Sequence, residues 1–354
     1  MMSGWVVADR RNSTLTIAKM CRISALLVGL AAADGEQPLF AAADDEWPVK
    51  NKLIGKDGGR SKDVSGIACT TARGFPRSCL VIDDNVQAAQ FVELTDGKLI
   101  AGNTVKLIDN KFNGEALELD GEGVAFAKGF YYVMGSHGYP RDKKGKLDPK
   151  DDADEIRARI SASSQIVRFR TTGEDGNASE IKSTPRLREI IAAEAALVPF
   201  MDQRLEENGL TIEGVTIKND RTLLAGFRGP VLDGSRAVVL SVGIDVLFGG
   251  SGSEHRLFRL PLGDDRGVRD LAGFEDGILI LAGPVADGPG AYAIYSWDAE
   301  SENVQRLAEL SSFDPTRKPE GILPLNKTPS GLRVLILFDG DKEGAPTPIL
   351  IPAP

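Results

Sequence analysis

Histidine and cysteine are scarce in this chain of 354 residues, which has two of the first and three of the second. Two imidazoles argue against zinc chemistry, which draws heavily on histidine. The patterns Cys-x-x-Cys, His-Glu-x-x-His and Gly-x-Ser-x-Gly are absent, as is an EF-hand loop. Basic charge is also short: 42 Lys and Arg stand against 51 Asp and Glu, for a net charge of −9 and a pI near 5.0. A nucleic-acid surface needs a basic stripe to displace counterions from phosphates, so nucleic acid is excluded as a partner. Long apolar runs are missing too. The stretch Ile23 to Ala33 is too short to span a bilayer, and no other segment offers a membrane span.

That short run has a different reading. Lys19-Met20-Cys21-Arg22 precedes it and Asp34 follows its small residues, the three parts of a secretory signal peptide. Residues 1–33 are therefore expected to be a signal segment with its natural start at Met20, and the mature chain to be periplasmic or secreted. An N-terminal helix packed on the domain is the alternative. Residues 34–50, rich in Ala, Asp and Glu with Pro38 and Pro48, read as a flexible mature N-terminus. With Cys21 in the signal, Cys69 and Cys79 remain as a pair spaced evenly about Gly74, where a hairpin would turn. A disulfide between them closes a short loop worth roughly 2–3 kcal/mol in the chain-entropy model. In a reducing compartment they would instead be two buried thiols.

What the chain has is repetition. Asp120-Gly121-Glu122-Gly123-Val124 leads into the apolar Phe130 to Gly135. The same grammar returns at Ile212-Glu213-Gly214-Val215 and at Pro319-Glu320-Gly321-Ile322, and more weakly at Val64-Ser65-Gly66-Ile67 and Val268-Arg269-Asp270-Leu271. The position after the Glu falls at Gly66, Gly123, Gly214, Asp270 and Gly321, in steps of 57, 91, 56 and 51. Three of the steps match one four-stranded propeller blade. The loop Gly229 to Ala237 also aligns with Gly283 to Ala291. Residues 51–354 are accordingly expected to form one all-β domain, a five-bladed β-propeller and a monomer. The long step is assigned to a helical insertion at about residues 139–208, with helices starting at Asp148-Pro149 and Thr184-Pro185 and a kink at Pro199. A sixth, degenerate blade hidden there is the competing count.

In a propeller, a residue repeated at the start of each inner strand forms a ring about the axis. Here that ring is Ser65, Glu122, Glu213, Arg269 and Glu320. Converging carboxylates repel unless a cation or an arginine balances them. Arg269 balances one, and a hard divalent cation such as calcium would suit Glu122, Glu213 and Glu320 as metal ligands. Alternatively each Glu bonds the backbone of a neighbouring blade. The loops at one end of the channel offer Arg141, Arg228, Asp233 and Asp287 as ligand-binding residues together with Arg269, and His137 as a general base or ligand, the alternative being a hydrogen-bonded structural histidine. Arg228 would grip an anionic group or pair with Glu213.

These segments, with Gly135-Ser136-His137, Arg228-Gly229-Pro230-Val231 and Leu281-Ala282-Gly283-Pro284, resemble an uncharacterised bacterial family, domain of unknown function 3616, over about residues 60 to 345. The family is similar to esterase-like phytase propellers. That similarity implies an ester or phosphoester substrate, and the resemblance itself implies no activity. The expected function is binding of a small anionic ligand or a cation at the channel mouth. Metal-dependent ester or phosphoester hydrolysis in the channel is the second reading.

Overall fold

The computed structural model describes residues 42–141, 147–172, 177–250 and 252–354. The expected signal segment, with Met20, and residues 34–41 lie outside the described residues. Among the described residues no helix is long and apolar enough to cross a membrane.

Five sheets make the blades, four of them antiparallel with four strands and the first with a fifth, parallel strand at its edge, and each inner strand neighbours the next until the fifth returns to the first. The inner strands are Val64–Cys69, Gly121–Ala127, Thr211–Lys218, Arg266–Phe274 and Lys318–Thr328, in blades 1 to 5. The strands behind them read as unbroken apolar runs, such as Ile278–Leu281 and Val334–Phe338, because both of their faces are covered. Along Arg77–Asp83 in blade 1, Leu80 and Ile82 pack towards blade 2, whereas Cys79 and Val81 pack towards blade 5. The same alternation yields five apolar clusters, each shared by two neighbouring blades.

One local irregularity recurs in all five inner strands. The ladder skips one residue at Ser65, Glu122, Glu213, Arg269 and Glu320, where the pairing jumps past an extra residue. A β-bulge frees its extra residue from the ladder and re-aims the side chain. The ring residues deduced from sequence are therefore the bulged residues, at equivalent places around the axis. The glycine that follows lets neighbouring inner strands touch. A Cβ on Gly123 would stand 2.8 Å from Val215 Cγ1 and 2.9 Å from the Glu213 carbonyl oxygen. In the fourth copy Asp270 takes this position, and its carboxylate accepts from the Leu271 N–H at 2.7 Å and the Ile322 N–H at 2.9 Å, stitching blade 4 to blade 5.

Two expectations are corrected. Residues 42–50 are built into the ring, not a loose tail. Ala42–Ala43 pairs with Thr347–Ile351 as the outermost strand of blade 5, and Val49–Lys50 runs parallel to Lys98–Lys106 at the edge of blade 1. Between them Trp47 is buried in the cluster between blades 5 and 1, and its backbone N–H donates to the Pro346 carbonyl at 2.7 Å.

The span 139–208 is likewise not one insertion. Helix α1 (Ala153–Ser163) joins the second and third strands of blade 2, and Ile166–Thr172 and Asn177–Thr184 complete that blade. No sixth blade is present among the described residues. Helix α2 (Arg186–Ala193) then bridges to blade 3, burying Leu187, Ile190 and Ile191. It stops at Ala193, so Pro199 falls in a separate 3-10 turn, Val198–Phe200, and kinks nothing. Asn208, left-handed at φ 63°, ends the last 3-10 turn of the connector, Leu205–Glu207. Cys69 and Cys79 face each other across the first two strands of blade 1 and are joined by a disulfide.

The N-terminal seam gives a direct test. Trp47→Ala removes the largest side chain at the junction of blades 5 and 1 and should lower stability by about 3 kcal/mol. Urea unfolding measures this, and a loss below about 1 kcal/mol would show that the junction does not depend on it.

Candidate functional site

The bulged residues define one end of the channel, where an alternating line of charge is laid down. Arg228, from the second strand of blade 3 (Thr222–Leu232), donates from Nη1 to Glu213 Oε1 at 2.9 Å, from Nη2 to Asp287 Oδ1 at 2.6 Å and from Nε to the Val285 carbonyl at 2.7 Å. Arg269 Nε lies 3.0 Å from Glu213 Oε2, and its Nη2 bonds Glu320 Oε1. The order Glu320, Arg269, Glu213, Arg228, Asp287 is thus continuous. Arg141 sits at the rim with 31% of its side chain exposed, 3.9 Å from Glu213 and 3.5 Å from Asp287.

Burial opposes charge throughout this line, and the neighbours decide the outcome. At Asp287 burial pushes the carboxyl up, but Arg141 and Arg228 outweigh it and bring its pKa down to about 2. At Arg228 the burial penalty is overcome by Glu213, Glu320 and Asp287, so the guanidinium holds its proton more firmly than usual. At Glu320 burial wins over Arg269 and carries the carboxyl up to about 8.

The remaining ring acid behaves differently. Glu122 is buried and meets Asp84, at the exit of the second strand of blade 1, and Asp120, just before the inner strand of blade 2. One oxygen from each of the three lies within 4.8 Å of the others. No lysine or arginine among the described residues is within ion-pair distance of them. All three carboxyls are raised, by burial first; mutual repulsion adds to this at Asp84 and Glu122, and Arg141 with Ser136 partly offsets it at Asp120. Asp84 also belongs to a second trio with Asp63 and Asp83. Burial lifts Asp83 to about 6, against the Ser61 hydroxyl that donates to it at 2.6 Å.

The expected metal set is therefore redistributed. Of Glu122, Glu213 and Glu320, only Glu122 joins a group of carboxylates close enough to share a cation, while the other two are held by arginines. Neither glutamate settles on the backbone of an adjacent blade. Arg228 takes the pairing role that was weighed for it. Asp233 is exposed and lines a different cleft with Leu205, Asn208 and Asp264, although Asp287 occupies the aligned position one blade on. His137 is fully buried at φ 57°, its Nδ1 2.9 Å from the Gly135 carbonyl, and burial lowers its pKa to about 4. Its Nε2 is buried without a hydrogen-bond partner among the described residues.

Asp84 and Asp120 are the residues the sequence pattern did not single out. Asp120 stood in the quoted motif but one step outside the repeated position. The signal for Asp84 is the Asp83-Asp84 doublet that abruptly ends an apolar strand.

The sequence profile of a family described as protein of unknown function (DUF3616) matches residues 80–346. The chain belongs to this family. The match bears out the resemblance seen in the motifs and leaves the likeness to esterase-like phytases unsupported. No curated protein matches the chain. Among solved structures, similar folds occur in a GH43 β-1,3-galactosidase (7% identity, TM-score 0.42, covering 88% of this chain and 60% of that one). The xyloglucan PUL GH43B of Bacteroides ovatus is another (10% identity, TM-score 0.44, 86% and 53%). The sialidase of Trypanosoma rangeli is a third (8% identity, TM-score 0.38, 88% and 59%). The chain spans about half to three fifths of the length of these structures.

Removing Glu213 separates structure from ligand binding at this end. Glu213→Ala leaves Arg228 and Arg269 buried without their shared carboxylate and should cost about 3–5 kcal/mol in urea unfolding. Arg141→Ala, at the rim, should cost roughly 1 kcal/mol or less. Equal losses would contradict the division between a buried relay and a rim contact.

Proposed function

We propose that this family member is an exported, monomeric binding protein that takes a hard divalent cation at the bulged end of its channel. Asp84, Asp120 and Glu122 supply the oxygens, and calcium is the ion best matched to such a set. Arg141 at the rim meets an anionic group of a small ligand that follows the cation. The observation that carries this reading is the imbalance within the ring. Glu213, Glu320 and Asp287 each have an arginine. Asp84, Asp120 and Glu122 have one another, and a cation between them would offset the burial and the mutual repulsion that now raise Asp84 and Glu122.

Calorimetric titration with calcium tests this reading. The wild type should bind, and Asp120→Asn with Glu122→Gln should weaken binding at least tenfold while the protein still melts cooperatively. Absence of binding to the wild type would remove the proposal. Calcium-dependent turnover of a panel of esters or phosphoesters, lost in the same variants, would move it to the hydrolase reading.

The pH dependence has a definite sign. Asp83, at about 6, and the raised Asp84, Asp120 and Glu122 hold protons more tightly in the folded than in the unfolded chain. Their contribution to stability is therefore present at low pH and is lost as pH rises through 6 and above. Calcium replaces those protons. The rise in melting temperature on adding calcium should grow from pH 5 to pH 8, and a rise independent of pH would place the ion elsewhere.

A further inference from the structure

The other end of the channel is built with the opposite polarity. The inner strands end there around a cavity of about 590 Å³, within the range of small-molecule sites. Its walls are apolar side chains of the inner strands, including Ile67, Val124, Leu271 and Leu323, with Phe126 and Phe274 also in the lining. The charged residues that line it are Arg73, Arg77, Lys128 and Lys327 against Asp220 and Glu275, a formal excess of two positive charges on a chain whose net charge is −9.

Arg77 makes that excess difficult to screen. It is buried, and its guanidinium donates to the carbonyls of Gly74, Pro324 and Leu325, so all of these bonds end on neutral groups. Glu275 is engaged twice at the lip, by Lys327 at 2.8 Å and by Arg73 at 3.3 Å, each pair joining separate blades across the mouth. One carboxylate shared by two cations leaves donor capacity on both. Lys128, exposed at the turn after the inner strand of blade 2, adds a third cation to the lip.

We infer that this cavity is a second binding site, for a small amphipathic organic anion whose apolar body enters the channel and whose carboxylate or similar head meets Arg73, Lys128 and Lys327. A buried guanidinium in the wall favours negative charge over positive. The apolar walls gain from covering a hydrocarbon or aromatic body. The site is independent of the cation proposed at the bulged end.

Decanoate and decylammonium share the same apolar body and differ in the sign of the head, so isothermal titration with each is the test. Decanoate should bind the wild type at least tenfold more tightly than decylammonium. Arg73→Glu combined with Lys128→Glu, both exposed changes, should reduce or reverse that preference. Ala272→Phe, which fills the cavity, should abolish binding with the melting transition retained. Glu122→Gln should leave decanoate binding unchanged, which keeps this result separate from the calcium reading. Equal binding of the two amphiphiles, decanoate binding that survives Ala272→Phe, or no binding of decanoate at millimolar concentration would overturn the inference.

Discussion

The charged end of the channel depends on one backbone irregularity repeated five times. By skipping a residue near the start of each inner strand, the chain takes Ser65, Glu122, Glu213, Arg269 and Glu320 out of the ladder at equivalent places. The glycines beside three of them allow the inner strands to approach within side-chain distance of each other. The two requirements are coupled, since a bulge without the close approach would leave the ring residues too far apart to interact. Glycine and an ionisable residue therefore travel together in the repeat.

Once five side chains share an axis, electrostatics sorts them. Two buried arginines cannot stand without carboxylates, and Glu213 serves both. This leaves Glu122 to the blade 1 side, where Asp84 and Asp120 meet it. The result is an axis with an acidic end and, around Arg77, a basic end. Apolar inter-blade clusters enclose the channel between them, a low-dielectric surround in which such differences are weakly screened.

Much of this was legible because a propeller is nearly a one-dimensional code. The Glu-Gly spacing gave away the blade period, and the apolar runs behind it identified strands covered on both faces. The disulfide was readable because Cys69 and Cys79 sit symmetrically about Gly74, which adopts the left-handed backbone of a turn at φ 81°. What escaped was information carried between repeats. Asp84 comes to Glu122 from an adjacent blade, and periodicity along one chain says nothing about that meeting. Asp233 and Asp287 occupy aligned loop positions, yet only Asp287 reaches the arginines, because the surrounding blades are not copies of each other. The span 139–208 reads as one insertion for a related reason: two strands of blade 2 lie between helices, and the charged helices dominate the pattern there.

The pairing of Ala42–Ala43 with Thr347–Ile351 has a consequence for how the ring comes into being. The strand Ala42–Ala43 must wait for Thr347–Ile351, made about 300 residues later. Joining segments separated by about 300 residues costs on the order of 5 kcal/mol of chain entropy, and this cost is met by the Ala42–Ala43 pairing together with the apolar cluster and the Arg77 bonds between blades 5 and 1. Blades can assemble in order while synthesis proceeds, but the circle itself remains open until Thr347–Ile351 has been made.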